Sequence, residues 1–290
     1  MLLTLENNTL TVAISTLGAE LQSIYRKDTQ LEYLWQGNPQ FWGKRSPVLF
    51  PIVGGLKDGK YHYAGNSYKM GRHGFAREQQ FEVVSQSTNS IALRLTANDA
   101  TLQMYPFAFE LTITYTLTND TLTVSYDVGN VGNDTMYASI GAHPAFNVPL
   151  TTDTTFEDYY LQFEQIENVG IYPLTAAGLL KTEPVPYLQK ANAIPLVKSM
   201  FYGDALVFKQ LKSNSIAILS TRHEHGVTVQ YENMPYMGIW SAKDAPFVCI
   251  EPWHGIADSE NATGDITNKE GIVAIPKGEY LHCNMRITLF

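Results

Sequence analysis

The sequence predicts an all-β protein, built as an antiparallel sandwich or barrel. Many short segments alternate apolar and polar residues with a period of two, which is the period of a strand with one buried face. Asn, Asp and Gly residues separate these segments, as they do in the turns between antiparallel strands. Helical periodicity is scarce. Together, these observations indicate an antiparallel sandwich or barrel.

Predicted strands follow one another along most of the chain. The first two form a hairpin that turns near Asn7-Asn8, before the segment LTVAIS. Residues 38–46, NPQFWGKRS, suggest a short turn of helix. Residues 150–200 are the least regular and are predicted to hold long connections between strands. Further strands are predicted at residues 90–97, 205–211, 215–221, 227–233, 237–242, 246–251 and 282–290.

The clearest element is a predicted β-hairpin over residues 109–130, FELTITYTLTNDTLTVSYDVGN. Apolar residues occupy every second position at 111–117 and again at 122–128, and threonines fill the positions between them in the first run. The pair Asn119-Asp120 separates the two runs. A period of two, β-branched residues and an Asn-Asp turn are typical of a hairpin.

Length and charge limit the possible functions. The chain has 290 residues, 44% of them hydrophobic, and a net charge of −8. We expect a single domain over residues 1–290, because no linker rich in Pro, Gly or Ser divides the chain. The acidic balance disfavours nucleic acid and anionic membranes as partners. The sequence shows no transmembrane run of about 18 apolar residues, no signal peptide and only two cysteines, so the expected location is cytoplasmic.

Residues 71–77, GRHGFAR, gather Arg72, His73 and Arg77 in one short turn of an acidic chain. Their many hydrogen-bond donors suit sugar hydroxyls, carboxylates or phosphates. A solvated turn whose arginines pair with nearby acids explains the same residues equally well. The sequence of this turn therefore indicates either an oxygen-rich ligand or a plain surface loop.

Two further segments place ionisable side chains at predicted strand ends. In SIGAHPAFNV, Pro144 favours an extended backbone at His143, which predicts that the strand ends there with the imidazole at the sheet rim. A lone histidine in an apolar stretch is more often structural, so a catalytic role requires a facing carboxylate. In FVCIEPWHG, an apolar strand delivers Glu251 at its end, where burial would raise its pKa and suit a general base.

Trp253, two residues after Glu251, offers an apolar face on which sugar C–H groups could pack. The alternative is a glutamate at the rim, paired with a surface arginine, beside a core tryptophan. Glu, His, Arg and Trp together nevertheless form a plausible set for acid–base chemistry on a sugar.

His223 and His225 provide a competing hypothesis, a metal-dependent hydrolase. Two histidines at this spacing share one face of a predicted strand, and zinc sites use such pairs. A third ligand at suitable spacing is not evident. No metal is therefore predicted.

The segments HGFAR, GAHPAFNV, YGDALVF and CIEPWHG follow the order found in the aldose 1-epimerase (galactose mutarotase-like) family, which the chain resembles over residues 1–290. The segments FPIVGG and GIWS are similar to those of its LacX-like bacterial branch. The resemblance implies a large antiparallel β-sandwich, with a sugar site on its concave face. It also implies interconversion of the α and β anomers of a small-molecule aldose without a cofactor.

The resemblance assigns roles to individual residues. Glu251 matches the base that takes the proton of the C1 hydroxyl, and His143 matches the acid that protonates the ring oxygen. His73 matches a second family histidine that hydrogen-bonds the substrate. Asp204 of YGDALVF falls where the sugar-binding aspartate of the family lies.

Two arginines widen the range of substrates that the resemblance implies. Arg45 and Arg77 resemble arginines of the hexose-6-phosphate relatives, and the upstream arginine of true galactose mutarotases is missing. The predicted substrate is therefore a hexose or a hexose phosphate. We expect His73 and Arg77 to face the sugar, and Arg72 to face either the sugar or solvent. A non-catalytic carbohydrate-binding or sensor protein on the same fold is the alternative.

Overall fold

A computed structural model describes all of residues 1–290, and antiparallel strands dominate it. The strands are β1 (Leu2–Glu6), β2 (Leu10–Ser15), β3 (Leu21–Arg26), β4 (Leu31–Glu32), β5 (Lys60–Tyr63), β6 (Asn66–Lys69), β7 (Glu82–Gln86), β8 (Ser90–Thr96), β9 (Phe109–Thr118), β10 (Thr121–Asn130), β11 (Met136–Ala138), β12 (Ile140–Gly141), β13 (Ala145–Asn147), β14 (Tyr159–Ile171), β15 (Val185–Pro195), β16 (Leu206–Phe208), β17 (Ser215–Ser220), β18 (Val227–Glu232), β19 (Tyr236–Trp240), β20 (Phe247–His254), β21 (Val273–Ile275) and β22 (Tyr280–Leu289). The helices are α1 (Asp99–Met104) and 3-10 helices at Lys57–Gly59, Ala76–Glu78, Phe156–Asp158, Lys198–Phe201 and Ile266–Asn268. None of these helices has the length and apolar character needed to cross a bilayer.

The strands form one nine-stranded sheet and four smaller ones. The nine-stranded sheet has the order β15-β14-β17-β18-β22-β10-β9-β8-β7, so it ends at two edges and does not close into a barrel. A five-stranded sheet has the order β12-β20-β19-β16, with β13 also paired to β20. The remaining sheets are β1-β2-β3-β4, β11-β21 and β5-β6. The fold is a large antiparallel β-sandwich, which confirms the predicted fold class.

One hydrophobic core of 66 buried residues receives side chains from the nine-, five- and four-stranded sheets. The predicted hairpin at 109–130 is confirmed as β9 and β10, with Leu117 opposite Leu122 across the turn. Every second residue of both strands is buried, because one face of the hairpin covers the core. The opening hairpin, β1 and β2, is confirmed in the same way.

Strand β20 separates this core from a second buried region. Val248 and Ile250 belong to the large core, whereas Phe247 and Cys249 belong to a small cluster that includes partly buried Trp42 and Trp240. Because successive side chains of a strand point to opposite faces, Glu251 lies on the same face as Cys249. The five-stranded sheet therefore covers the core with one face and carries ionisable side chains on the other.

The prediction of long connections at residues 150–200 was wrong. This region contains β14 and β15, which are 13 and 11 residues long. Strand β14 pairs with β17 only from Tyr159 to Phe163, and beyond that point its sole neighbour is β15. Its alternation of buried and exposed residues ends there too, although Glu167 is buried and Val169 and Ile171 pack against the core.

Two shorter predictions also need correction. Residues 38–46 form no helix, although the backbone N–H of Trp42 donates a hydrogen bond to the carbonyl of Asn38 at 3.0 Å. The strand predicted at 205–211 is limited to β16, Leu206–Phe208.

Candidate active site

A cavity of about 370 Å³ lies on the ionisable face of the five-stranded sheet. Its volume falls within the range of small-ligand sites. Arg72 lines it, together with all but one of the residues predicted to act on or bind a sugar. These are His73, Arg77, His143, Asp204, Glu251 and Trp253.

Glu251 enters the cavity from the middle of β20 and not from its end, which corrects the prediction for this strand. The strand continues through Pro252, opposite Met237 of β19. The carbonyl of Pro252 accepts a hydrogen bond from the N–H of Ala142, which lies in the break between β12 and β13. In a strand, the backbone nitrogen and carbonyl of one residue point to the same neighbouring strand. The nitrogen of Pro252, which has no hydrogen to donate, therefore also faces the break between β12 and β13.

His143 lies in the same break and faces Glu251. Its Nε2 is 3.2 Å from Glu251 Oε2, and the two residues are 8% and 2% exposed. The imidazole is therefore buried in the break between β12 and β13 and not at an exposed sheet rim, which corrects the prediction. A carboxylate does face the imidazole, as a catalytic role requires.

Burial sets the protonation of this pair. It raises the pKa of Glu251 well above 4.5, and the neighbouring Asp204 carboxylate adds to the rise. Burial also lowers the pKa of His143 to about 3, and the charge of Arg77 acts in the same direction. Both shifts disfavour the charged forms. Between these two pKa values, the pair holds one proton.

Aromatic rings enclose the imidazole of His143. Trp42 stacks on it with ring centres 4.9 Å apart and an angle of 25° between the planes, and Trp240 meets it edge-on at 5.7 Å and 87°. Both tryptophans line the cavity. Sequence reasoning assigned neither of them a role, although Trp240 lies in the segment GIWS and Trp42 in NPQFWGKRS.

His73 faces the cavity as a neutral hydrogen-bond donor. Its Nδ1 accepts a hydrogen bond from the N–H of Gly54 at 3.1 Å, which leaves the proton on Nε2. Burial lowers the pKa of His73 well below 6.5, and the neighbouring His143, Arg77 and Arg72 act in the same direction. His73 has a left-handed backbone, φ 67°, and Gly74 follows because a Cβ there would lie 2.2 Å from the carbonyl oxygen of Phe50.

Arg72 and Arg77 place two guanidinium groups at the cavity. Arg77 Nη2 donates to the carbonyl of Arg72 at 3.0 Å, and its nearest acid, Glu78, is 3.8 Å away. Arg72 makes no ion pair, and its guanidinium covers Gly178, where a Cβ would lie 1.5 Å from Nη2. Arg72, left undecided by the sequence, is thus a lining residue.

Asp204 and Trp253 complete the polar and apolar walls of the cavity. Asp204 has a left-handed backbone, φ 92°, and Oδ1 accepts a hydrogen bond from the N–H of Ala205 at 2.8 Å. The Trp253 ring packs against Gly141 and Gly238, where a Cβ would approach it to 2.8 and 2.3 Å. Its buried indole N–H lies near Glu251 and favours the carboxylate form, which opposes part of the rise in the pKa of Glu251.

Arg45 does not line the cavity, which corrects its predicted role. Its Nη1 donates to the carbonyl of Gln22 and, at 3.1 Å, to Gln36 Oε1. Its backbone N–H donates to Glu20 Oε1 at 2.8 Å. These bonds direct Arg45 to the segment around β3, where it stabilises the loop that carries Trp42.

His223 and His225 lie in a loop between β17 and β18, not on a strand. Their ring centres are 5.3 Å apart, and His223 Nε2 is 2.8 Å from the hydroxyl of Tyr159. No further His, Cys, Asp or Glu completes a group of three metal ligands with them. The one such group in the structure is His143, Cys249 and Glu251.

The fold and the cavity define a class of protein. It is a β-sandwich with a buried Glu–His pair in a cavity of the size that small ligands occupy. Residues 1–273 match the aldose 1-epimerase family. The chain is 36% identical to the chromosomal LacX protein of Lactococcus lactis subsp. lactis over 270 residues, which is 89% of either chain.

Solved structures agree with this class. A galactose mutarotase related enzyme from Lactobacillus acidophilus matches with a TM-score of 0.96 and 36% identity, over 100% of this chain and 97% of the other. A galactose mutarotase-like protein from Lactobacillus casei matches with a TM-score of 0.93 and 30% identity, over 100% of both chains. The chain belongs to the aldose 1-epimerase family.

Proposed function

We propose that the protein is an isomerase that interconverts the α and β anomers of a hexose or hexose phosphate. Glu251 acts as the base and His143 as the acid. The observation that carries this proposal is the 3.2 Å contact between the imidazole and the carboxylate, both buried and both lining one cavity. A base at the C1 hydroxyl and an acid at the ring oxygen of an aldose suffice to open its ring.

The proton inventory of the pair matches this reaction. The Glu251 carboxylate takes the proton of the C1 hydroxyl while the His143 imidazolium gives its proton to the ring oxygen. The C1–O5 bond breaks, and the open aldehyde faces a neutral carboxylic acid and a neutral imidazole. Rotation about C1–C2 and the reverse transfers close the ring as the other anomer. One proton is shared throughout, and each positioned transfer typically contributes ~10²–10⁴ in rate.

The other cavity residues bind the substrate. His73 presents Nε2–H to a sugar oxygen, because its Nδ1 is occupied by Gly54. Asp204 accepts from sugar hydroxyls, and Trp253 covers the apolar face of the ring. These residues hold the sugar so that its C1 hydroxyl faces Glu251 and its ring oxygen faces His143.

The two cavity arginines favour an anionic substrate, which extends the proposal to hexose phosphates. Arg72 has no acidic partner, and Arg77 has only a long contact with Glu78. Guanidinium groups bind phosphate with paired hydrogen bonds. The argument depends on Arg72 and Arg77 and not on Arg45, which is bonded elsewhere.

Exchange of anomers, followed by NMR, tests the proposal. Glucose, galactose and their 6-phosphates are compared with wild type, Glu251→Gln and His143→Asn, and His223→Asn serves as a matched control outside the cavity. We expect faster exchange than in buffer with wild type and the control, and loss with both cavity variants. Folded wild-type protein that binds a sugar without accelerating exchange would contradict the proposal.

A further inference from the structure

Cys249 is a buried group that the proposed mechanism does not use. It precedes Glu251 by two residues on β20 and shares its face of the sheet. One ligand atom each from His143, Cys249 and Glu251 lies within 4.8 Å of the other two, and all three residues are buried. Cys249 itself does not line the cavity, whereas His143 and Glu251 do.

This donor set suits a thiophilic dication. Zinc takes thiolate, imidazole and carboxylate ligands, often three from the protein with the fourth position open. A thiolate and a carboxylate would neutralise the two charges of the ion, which matters at a site where an uncompensated charge is costly. The thiolate selects zinc and similar ions over magnesium or calcium.

We propose that a thiophilic divalent cation such as Zn²⁺ binds His143, Cys249 and Glu251 and inhibits the protein. Starting from a neutral thiol and a Glu251–His143 pair with one proton, coordination releases two protons and leaves a site of zero net charge. The coordinated carboxylate and imidazole can then neither accept nor donate the sugar's protons. Binding of the ion stands apart from the proposed function, whereas inhibition of exchange rests on it.

Titration with Co²⁺ under anaerobic conditions tests binding without any need for activity. We expect a thiolate-to-cobalt charge-transfer band in wild type, displaced by Zn²⁺ and unaffected by Mg²⁺. Cys249→Ala removes the band, and Cys249→Ser serves as a second variant in case the first fails to fold. The His223→Asn control keeps it, because the loop histidines are not ligands. Absence of the band in wild type, or an unchanged band in Cys249→Ala, overturns the proposal.

Anomer exchange with Zn²⁺ then tests inhibition, with each protein compared with its own metal-free rate. We expect wild type to be inhibited and to recover with a chelator. Losing an outer-shell partner of a metal ligand costs about 10–100-fold in affinity, so losing the Cys249 ligand should raise the inhibitory Zn²⁺ concentration at least about 10-fold. A cobalt band without measurable exchange in any protein would uphold the metal site and contradict the proposed function. Equal inhibition of wild type and Cys249→Ala would overturn inhibition through this site.

Discussion

The buried Glu251–His143 pair predicts an unusual dependence of stability on pH. In the folded protein the pair holds one proton from about pH 3, the pKa of His143, up to the raised pKa of Glu251. In the unfolded chain the two groups titrate near their ordinary pKa values, 4.5 for glutamate and 6.5 for histidine. The unfolded pair therefore holds two protons below pH 4.5, one between 4.5 and 6.5, and none above 6.5.

The sign of the effect follows from these proton counts. Stability rises with pH where the unfolded state holds more protons, and falls where it holds fewer. From pH 4.5 down to about pH 3 the pair therefore loses stability on acidification, and above pH 6.5 it loses stability on alkalinisation up to the raised pKa of Glu251. Each limb has a slope of about 1.4 kcal/mol per pH unit, and the contribution is flat between them.

Urea unfolding at a series of pH values, with a chelator present, measures this contribution. The contribution of the pair is the free energy of unfolding of wild type minus that of the Glu251→Gln/His143→Asn double variant. The contributions of all other titratable groups cancel in this difference. Glu251→Gln alone should keep only an acid limb, which starts at pH 6.5, the ordinary pKa of histidine. His143→Asn alone should keep only an alkaline limb, which starts at pH 4.5, the ordinary pKa of glutamate. A difference that stays constant from about pH 4.5 down to about pH 3.5, where a loss of about 1.4 kcal/mol is expected, refutes the reasoning.

Three further predictions concern the surroundings of the cavity. Gly238→Ala should cost about 1–3 kcal/mol in urea unfolding, because its Cβ would lie 2.3 Å from the Trp253 ring. Lys269→Met should cost about 3–5 kcal/mol, since Asp258, 4% exposed at its side chain, loses a cation 2.7 Å away. Adding Asp258→Asn should restore part of that loss, and no recovery would contradict the role of the ion pair. Arg45→Gln should leave the KM for sugars and sugar phosphates unchanged in the exchange assay, and a KM raised for phosphates alone would contradict its placement outside the cavity.

The sequence predicted strands well where a strand has one buried and one solvated face. The hairpin at 109–130 has this property along its whole length, so a period of two is visible. In β14 the property ends at Phe163, and Glu167 is fully buried further along because its carboxylate accepts hydrogen bonds from the N–H groups of Lys212 and Ser213. Lys212 and Ser213 are distant from Glu167 in the chain, so the sequence around Glu167 gives no sign that this residue is buried.

The site was predictable in its residue types but not in its geometry. His143 and Glu251 lie in recognisable segments, yet only the break between β12 and β13 places the imidazole against the carboxylate. The role of Trp42 depends on a loop held by the hydrogen bond from Trp35 Nε1 to the Trp42 carbonyl, 2.9 Å long. The position of Arg45 was predicted wrongly for the same reason. A sequence motif identifies the arginine but not the residues that bind its side chain.

In the proposed mechanism, burial disfavours the charged forms of Glu251 and His143. The position of the one proton that they share therefore depends on what is bound in the cavity. Without substrate, burial favours a neutral carboxylic acid beside a neutral imidazole, whereas ring opening requires carboxylate and imidazolium. A hexose supplies what each charged group lacks, because its C1 hydroxyl donates to the carboxylate and its ring oxygen accepts from the imidazolium. Hydrogen bonds to charged groups contribute about 1.5–3 kcal/mol each, so two of them offset about 2–4 pKa units of burial. Substrate binding thus selects the reactive arrangement of the proton, with the His143 imidazole packed against the rings of Trp42 and Trp240.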